Sequence, residues 1–425
     1  MPIELSRRAR ESLATATSIA LIGLAACASA PSNDTSTGAA ASPAVAGNVI
    51  PGVEVLLSDS IHLVRGKRVG LITNHSGRDR KGTSTIDLLY RTPGVRLTAL
   101  FAPEHGLRGA ANAGDAIESG VDSATGIPIY SLYGQVKVPT ADMLANVDVV
   151  VYDIQDVGAR VYTYEWTMAL VADSVKKPFI VLDRPNPVRG DRVEGGMLDP
   201  AYRSFVGQYP VALRYGLTPG ELLKYLVGTG QVHADVKVVP MKNWRRAMWW
   251  EDTGLQWRNP SPNLRDMDAT LLYTGTVFFE GTNATEGRGT AQPFRSVGAK
   301  WLTDAGAIAR ELNAKGLAGV RFDSVSRPVE QGFKFGGDTI PMVLMTVTDH
   351  NVVKPIEVGA HLLRTIYTRH TAEWRWRQSE VDRLFGSDRL RLAVEREGGI
   401  EALLPVLAKE SEPFRLETEK YWIYK

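Results

Sequence analysis

The chain has 425 residues, enough for two domains with sizeable cores. Its 44% hydrophobic and 23% charged residues are those of an ordinary globular protein, and 49 basic against 47 acidic side chains leave a formal charge of only +2. That balance implies no field suited to nucleic acid, and a single cysteine, Cys27, excludes a disulfide within the chain.

Arg7, Arg8 and Arg10 precede an apolar run, Leu13 to Ala26, that is too short to span a bilayer as a stable helix. The run ends in Leu24-Ala25-Ala26-Cys27, which resembles a bacterial lipobox. The alternative is an ordinary signal peptide cut near Ala28-Ser29-Ala30; the lone cysteine at the lipobox position favours lipidation. Residues 1–26 are therefore expected to be a lipoprotein signal peptide, with Cys27 lipidated and residues 27–47, rich in Ala, Ser, Thr and Pro, a flexible tether. Ala28 rather than Asp follows Cys27, so no inner-membrane retention signal is evident.

Beyond the tether, apolar strands empty into polar loops four times. Lys67–Ile72 leads to Asn74 and His75. Leu97–Phe101 leads to Glu104, His105 and Arg108; Val147–Tyr152 leads to Asp153, Gln155, Asp156 and Arg160; Pro178–Leu182 leads to Asp183, Arg184 and Asn186. Helical patterns lie between them, over Ser84–Tyr90 and over Ala159–Lys177 with Tyr162, Tyr164, Glu165 and Trp166 in its first turns. Alternating β and α elements predict an α/β fold, a Rossmann-like, mostly parallel sheet. The carboxyl ends of its strands would bring the four loops to one edge, where ligands bind. No G-x-G-x-x-G or P-loop is present, so a nucleotide reading lacks its fingerprint.

From about Tyr215 the character changes. Thr218 and Glu221 form a capping box for a helix through Val227, and Val236–Met241 reads as a strand. Trp244, Trp249, Trp250 and Trp257 cluster next, either as core or as a sugar-stacking surface. Thr276–Phe279 then leads into Glu280, Asn283, Glu286 and Arg288 among three glycines, a composition that lets backbone and side chains approach a ligand closely. The remainder reads as helix (Thr303–Asn313), two strands (Gly319–Val325, Met342–Val347) and helices near Pro355–Thr368, Ser379–Phe385 and Ile400–Leu407. The expected division is an N-terminal Rossmann-like domain over 48–214 and a smaller C-terminal α/β (α+β) domain over 215–425, with a cleft between them.

The stretches FAPEHGLRG (101–109), TGIPIYSLYG (125–134), DIQDVGARVYTY (153–164), LDRPNP (182–187), SPNL (261–264) and FEGTNATEGRGT (279–290) resemble a known family. It is the exo-acting β-N-acetylmuramidases of bacterial peptidoglycan turnover, glycoside hydrolase family 171. The resemblance implies two domains with the active site in the cleft between them. It further implies release of N-acetylmuramic acid from the non-reducing end of peptidoglycan fragments, with no cofactor. It makes Glu104 the first catalytic candidate and Glu280 its partner, with Glu165 less favoured, and Glu194 of VEGG a further carboxylate of interest. Asn74, His75, His105, Arg108, Asp153, Gln155, Asp156, Arg160, Tyr162, Asp183, Asn186, Asn283, Glu286 and Arg288 are the candidate substrate-binding residues. Two carboxyl groups flanking an oxocarbenium-like transition state are the usual glycosidase arrangement, the alternative being participation by the substrate's own N-acetyl group with an Asp or Glu to orient it, and an arginine (Arg108, Arg160 or Arg288) would suit the lactyl carboxylate of muramic acid. The expected location is the periplasm, on the outer membrane of a Gram-negative bacterium, with the membrane touched only through the lipid.

Other readings are weaker. A lipid-anchored, non-catalytic muropeptide receptor would also use a cleft. An esterase would need a G-x-S-x-G elbow, and a metalloenzyme using His75, His105, Asp153 and Asp156 has no H-E-x-x-H or paired Cys/His spacing behind it.

Overall fold

The computed structural model describes residues 48–108 and 114–425. Residues 1–47, which hold the expected signal peptide, Cys27 and the expected tether, lie outside the described residues. Seven strands form the main sheet: β1 (Arg68–Thr73), β2 (Arg96–Ala102), β3 (Gly120–Val121), β4 (Pro128–Ser131), β5 (Val149–Asp153), β6 (Phe179–Leu182) and, after a separate hairpin of β7 (Glu194–Met197) and β8 (Ala212–Arg214), β9 (Val236–Val239). Their order is β3-β4-β2-β1-β5-β6-β9, parallel throughout except for β3 against β4. The chain winds outward from β1 in both directions, so the switch point lies between β1 and β5.

Side chains alternate across a strand, and the valine run of β5 shows the consequence. Val149 and Val151 pack with α1 (Gly52–Asp59) and α2 (Thr85–Arg91). Val150 and Tyr152 face the core shared with α3 (Tyr164–Ser174) and α4 (Pro219–Gly228). Both faces are thus covered, as a parallel sheet requires. The second core continues unbroken into the C-terminal half through Phe278, Phe279, Leu363 and Val381. That half holds α5 (Met267–Thr276), β10 (Ser296–Gly298), α6 (Ala305–Ala314), β11 (Val320–Pro328), β12 (Thr339–Val347), α7 (Pro355–Arg369), α8 (Gln378–Phe385), α9 (Arg389–Glu395) and α10 (Gly399–Thr418). Its sheet is antiparallel, in the order β10-β12-β11. Helices α5 and α7 touch backbone to backbone: a Cβ on Gly275 would lie 1.8 Å from the Pro355 carbonyl oxygen, and one on Gly359 2.0 Å from that of Gly275.

Three boundaries differ from expectation for physical reasons. The helix expected from Ala159 starts at Tyr164, because Ala159 and Arg160 give their backbone to β8: Ala159 bridges Arg214, and the Arg160 N–H donates to the Leu213 carbonyl at 2.7 Å. The last helix runs to Thr418, through Pro405 and Pro413, because Ile400, Leu403, Leu407, Ser411, Phe414 and Thr418 keep one face buried at helical spacing. Strand β9, beyond residue 214, belongs to the large sheet, and the C-terminus also returns there, with the Tyr424 hydroxyl donating to Asp183 at 2.6 Å. The expected capping box at Thr218 and Glu221 is formed.

Candidate active site

Strand β2 ends where Pro103 removes a backbone donor, and the chain turns sharply: His105 and Gly106 have φ of 67° and 73°. A histidine in the left-handed region is uncommon, and such backbone concentrates at functional sites. The turn carries Glu104 and His105 to the wall of a cavity of about 290 Å³. Glu104 accepts hydrogen bonds from the Tyr133 hydroxyl (2.9 Å), the Thr163 hydroxyl (2.5 Å) and the Gly114 N–H (3.2 Å). Three donors on one carboxyl group suit an ionised acceptor.

The opposite wall comes from the C-terminal half. Helix α5 runs into a short 3₁₀ turn, Val277–Gly281, which presents Glu280 to the same cavity. The Arg288 guanidinium approaches Glu280 at 2.7 Å and Glu286 at 3.7 Å, and lies over the Phe294 ring at 5.0 Å. The Glu280 contact is an ion pair without the alignment of a hydrogen bond: Oε1 and the Arg288 Nε have no hydrogen-bond partner among the described residues. About a quarter of Glu280 (27%) stays exposed, toward the cavity. Burial pushes its pKa up to about 7 against the pull of Arg288 and Lys334, with Glu286 and Glu104 adding to the rise. One cavity therefore brings together an acceptor held by three donors and a carboxyl group able to keep its proton near neutral pH.

Of the other residues singled out in the sequence, Tyr162 and Arg288 line this cavity with His105. Glu286 is buried beside Arg288, and Asn283 ties the loop to residues 373–375, donating to the Glu373 carbonyl and accepting from the Arg375 N–H. His75 contacts the Asn259 carbonyl at 2.7 Å and Tyr164 donates to that of Pro260 at 2.7 Å, so both hold the loop that brings Ser261 and Leu264 to the cavity.

Most of the rest face inward. Asp153 is held by Arg184 (2.5 Å) and by the Thr85 hydroxyl. Asp156 accepts from the Tyr215 hydroxyl and the Gly158 N–H, and Gln155 donates to the Asp156 and Pro185 carbonyls. Asp183 accepts from Thr218, Gly220 and Tyr424. Asn186 joins Leu217 and Val188, while Asn74 accepts from Ser76. Arg160 donates to the Val211 and Phe385 carbonyls, whereas Arg108 points outward, 66% exposed, onto Asp122. Glu194 pairs with Arg214 at 2.7 Å. Glu165 lies fully buried off the cavity wall, with neither carboxyl oxygen partnered among the described residues. Burial holds it protonated well above the usual carboxylate range.

Tyr133, Thr163, Ser261, Tyr273 and Phe294 also line the cavity and were not singled out from the sequence. Tyr133, Thr163 and Ser261 fall inside the motifs SLYG, VYTY and SPNL, and motif membership was the available signal. Tyr273 and Phe294 carry none beyond being aromatic.

A doubly wound sheet joined to a smaller antiparallel unit, with two carboxyl groups and an arginine lining one cavity, defines a two-part α/β protein with a pocket suited to a small polar ligand. The comparisons agree. Residues 69–268 match the family described as exo-beta-N-acetylmuramidase NamZ, N-terminal, and residues 271–424 its C-terminal counterpart. Peptidoglycan beta-N-acetylmuramidase NamZ of Bacillus subtilis (strain 168) is 40% identical over 377 residues, 88% of this chain and 91% of that protein. Two crystal structures of DUF1343 family proteins from Bacteroides fragilis NCTC 9343 match 89% of this chain and 99% of their own, with TM-scores of 0.82 and 0.69 at 34% and 27% identity. The chain belongs to the NamZ exo-β-N-acetylmuramidase family.

Proposed function

We propose that this protein is an exo-β-N-acetylmuramidase that releases N-acetylmuramic acid from the non-reducing end of peptidoglycan fragments. The observation that carries the reading is the pairing across one cavity of Glu104, held by three hydrogen-bond donors, with Glu280, beside Arg288 and with a raised pKa. Glu280 gives its proton to the glycosidic oxygen as the bond from the anomeric carbon breaks. Glu104, as carboxylate, compensates the positive charge developing on the sugar and orients the attacking group. One water is consumed: its oxygen ends on the anomeric carbon and its proton restores the acid. Of the three candidate arginines, Arg288 alone lines the cavity, which supports assigning it to the lactyl carboxylate.

The test is hydrolysis of a chromogenic β-N-acetylmuramide by the parent, Glu104→Gln and Glu280→Gln. Both folded variants should lose about 10³-fold or more in kcat, as expected when a general acid or a principal charge stabiliser is removed. Parental turnover by either would remove that residue from the chemistry. No turnover by the parent, with retained binding of a muramic disaccharide, would turn the reading into a receptor. We further propose that Cys27 carries a lipid that holds the protein in the periplasm at the outer membrane; Cys27→Ala should then move it from the membrane fraction to the periplasmic fraction.

A further inference from the structure

The turn carrying Glu280 ends with its carbonyls directed at one side chain from elsewhere in the chain. The ammonium group of Lys334 donates to the carbonyl oxygens of Ala284 (3.0 Å), Thr282 (3.1 Å), Phe279 (3.2 Å) and Glu280 (3.4 Å), and lies 3.6 Å from the Glu286 carboxylate. Four converging carbonyls and a carboxylate are a cation's environment, and three N–H donors on a compact charge suit it better than a planar guanidinium. Lys334 comes from the loop between β11 and β12. That loop is fixed to the same region: the Glu330 N–H donates to the Gly289 carbonyl at 2.8 Å, and a Cβ on Gly289 would lie 2.6 Å from the Phe333 ring. The turn at Phe279–Ala284 therefore depends on a lysine some fifty residues away in sequence.

We propose that Lys334 is a positioning residue for the reaction: its ammonium group gathers the carbonyls of the Glu280 turn and sets where the Glu280 carboxyl group sits in the cavity. The inference rests on the reading of Glu280 as proton donor. A misplacement of about 1 Å at a reacting group can cost 10²-fold in rate, which sets the expected scale. The charge has a second effect. The charged groups facing Glu280 are Arg288, Glu286, Lys334 and Glu104, and Lys334 is one of the two that favour its ionised form. Without Lys334, Glu280 should keep its proton to higher pH.

The experiment compares parent, Lys334→Met and Glu280→Gln on the chromogenic β-N-acetylmuramide across pH. Lys334→Met is expected to lower kcat by about 10- to 100-fold with KM within about threefold, and to move the alkaline limb of the profile upward. Added ethylammonium should restore part of kcat to Lys334→Ala by refilling the carbonyl cage. Parental kcat, or a lowered kcat with an unmoved limb, overturns the proposal. If Lys334→Met does not fold, Lys334→Gln is read by the same criteria; failure of both to fold assigns Lys334 to stability and also overturns it. Glu280→Gln separates the two claims: retained activity there defeats the reading of Glu280 itself, whereas its collapse beside a fully active Lys334→Met defeats only the role of Lys334.

Discussion

The loops after β2 and after β5 and β6 look alike in sequence and behave in opposite ways. Each follows a buried apolar strand, and each is dense in acids, amides and arginines. After β2, Glu104 meets donors on one side and an open cavity on the other. After β5 and β6, Asp153, Asp156, Asp183, Arg184 and Asn186 are consumed by one another and by neighbouring backbone, at 4% exposure or less. The difference lies in the supply of partners. Asp153 has Arg184 and Thr85, and Asp183 has Thr218, Gly220 and Tyr424, so these groups satisfy the interior and fix the relative placement of β5, β6 and α4. Glu104 and Glu280 keep part of their coordination open to a ligand. A polar strand end is thus either a joint or a site, and its local residue types do not distinguish the two.

The sharpest way to break this comparison is to exchange the expected effects. Glu104→Gln and Glu280→Gln should abolish turnover while leaving Tm near the parent's. Asp153→Asn should do the reverse. Removing one charge of a buried pair costs roughly 3–5 kcal/mol, because the buried Arg184 is left without its counter-charge. Its denaturant midpoint should fall well below the parent's, while the folded fraction keeps a KM within about twofold. A folded, stable but inactive Asp153→Asn would show that this region is a site after all.

A smaller effect sharpens the cavity side. With Glu280 near 7 in the free protein, kcat/KM should fall as pH rises through about 7, by about tenfold per unit, because the proton donor is lost. Arg288→Met removes the nearest opposing positive charge, so the limb should move to higher pH. The same variant should harm muramic substrates far more than N-acetylglucosamine analogues; equal loss on both would detach Arg288 from the lactyl group.

Much of this was legible because strands announce themselves. The valines of β5 and the apolar run of β2 mark the sheet, and Pro103 after Ala102 marks where β2 stops. Glu104, Glu280 and Arg288 stood out because long motifs carry them. What was not legible depends on distance in sequence. The inward turn of Asp153 requires knowing that Arg184 reaches it from 31 residues away. Thr163 and Tyr133 serve Glu104 from 59 and 29 residues away, and no local pattern marks a hydroxyl as a donor to a remote carboxylate. Among the missed elements, α1, β3, β4, the β7–β8 hairpin, β10 and α9 are short, and tertiary contacts rather than periodicity hold them, whereas α5 is buried along nearly its whole length and shows no polar face for a period to mark.

Glu165 is the residue on which joint and site are hardest to tell apart, and it gives the smallest expected effect. It is fully buried like the joints, yet its carboxyl group has no hydrogen-bond partner among the described residues. Its folded-state pKa is raised chiefly by burial, then by the nearby Asp156 and Asp183, which burial itself pushes up to about 6 and about 7. A raised carboxyl pKa means that the folded chain holds a proton the unfolded chain releases. The contribution is therefore fully present below the unfolded value, near 4.5, and is lost as pH rises toward the folded one. Glu165→Gln replaces the protonated acid by a neutral group of the same shape. At pH 4 its stability should match the parent's; by pH 8 it should exceed it by about 1 kcal/mol or more, since each pH unit in that window is worth about 1.4 kcal/mol for one proton. Its kcat should stay within about twofold. A large loss of kcat in a folded Glu165→Gln would return this buried acid to the chemistry and place the site on both sides of helix α3.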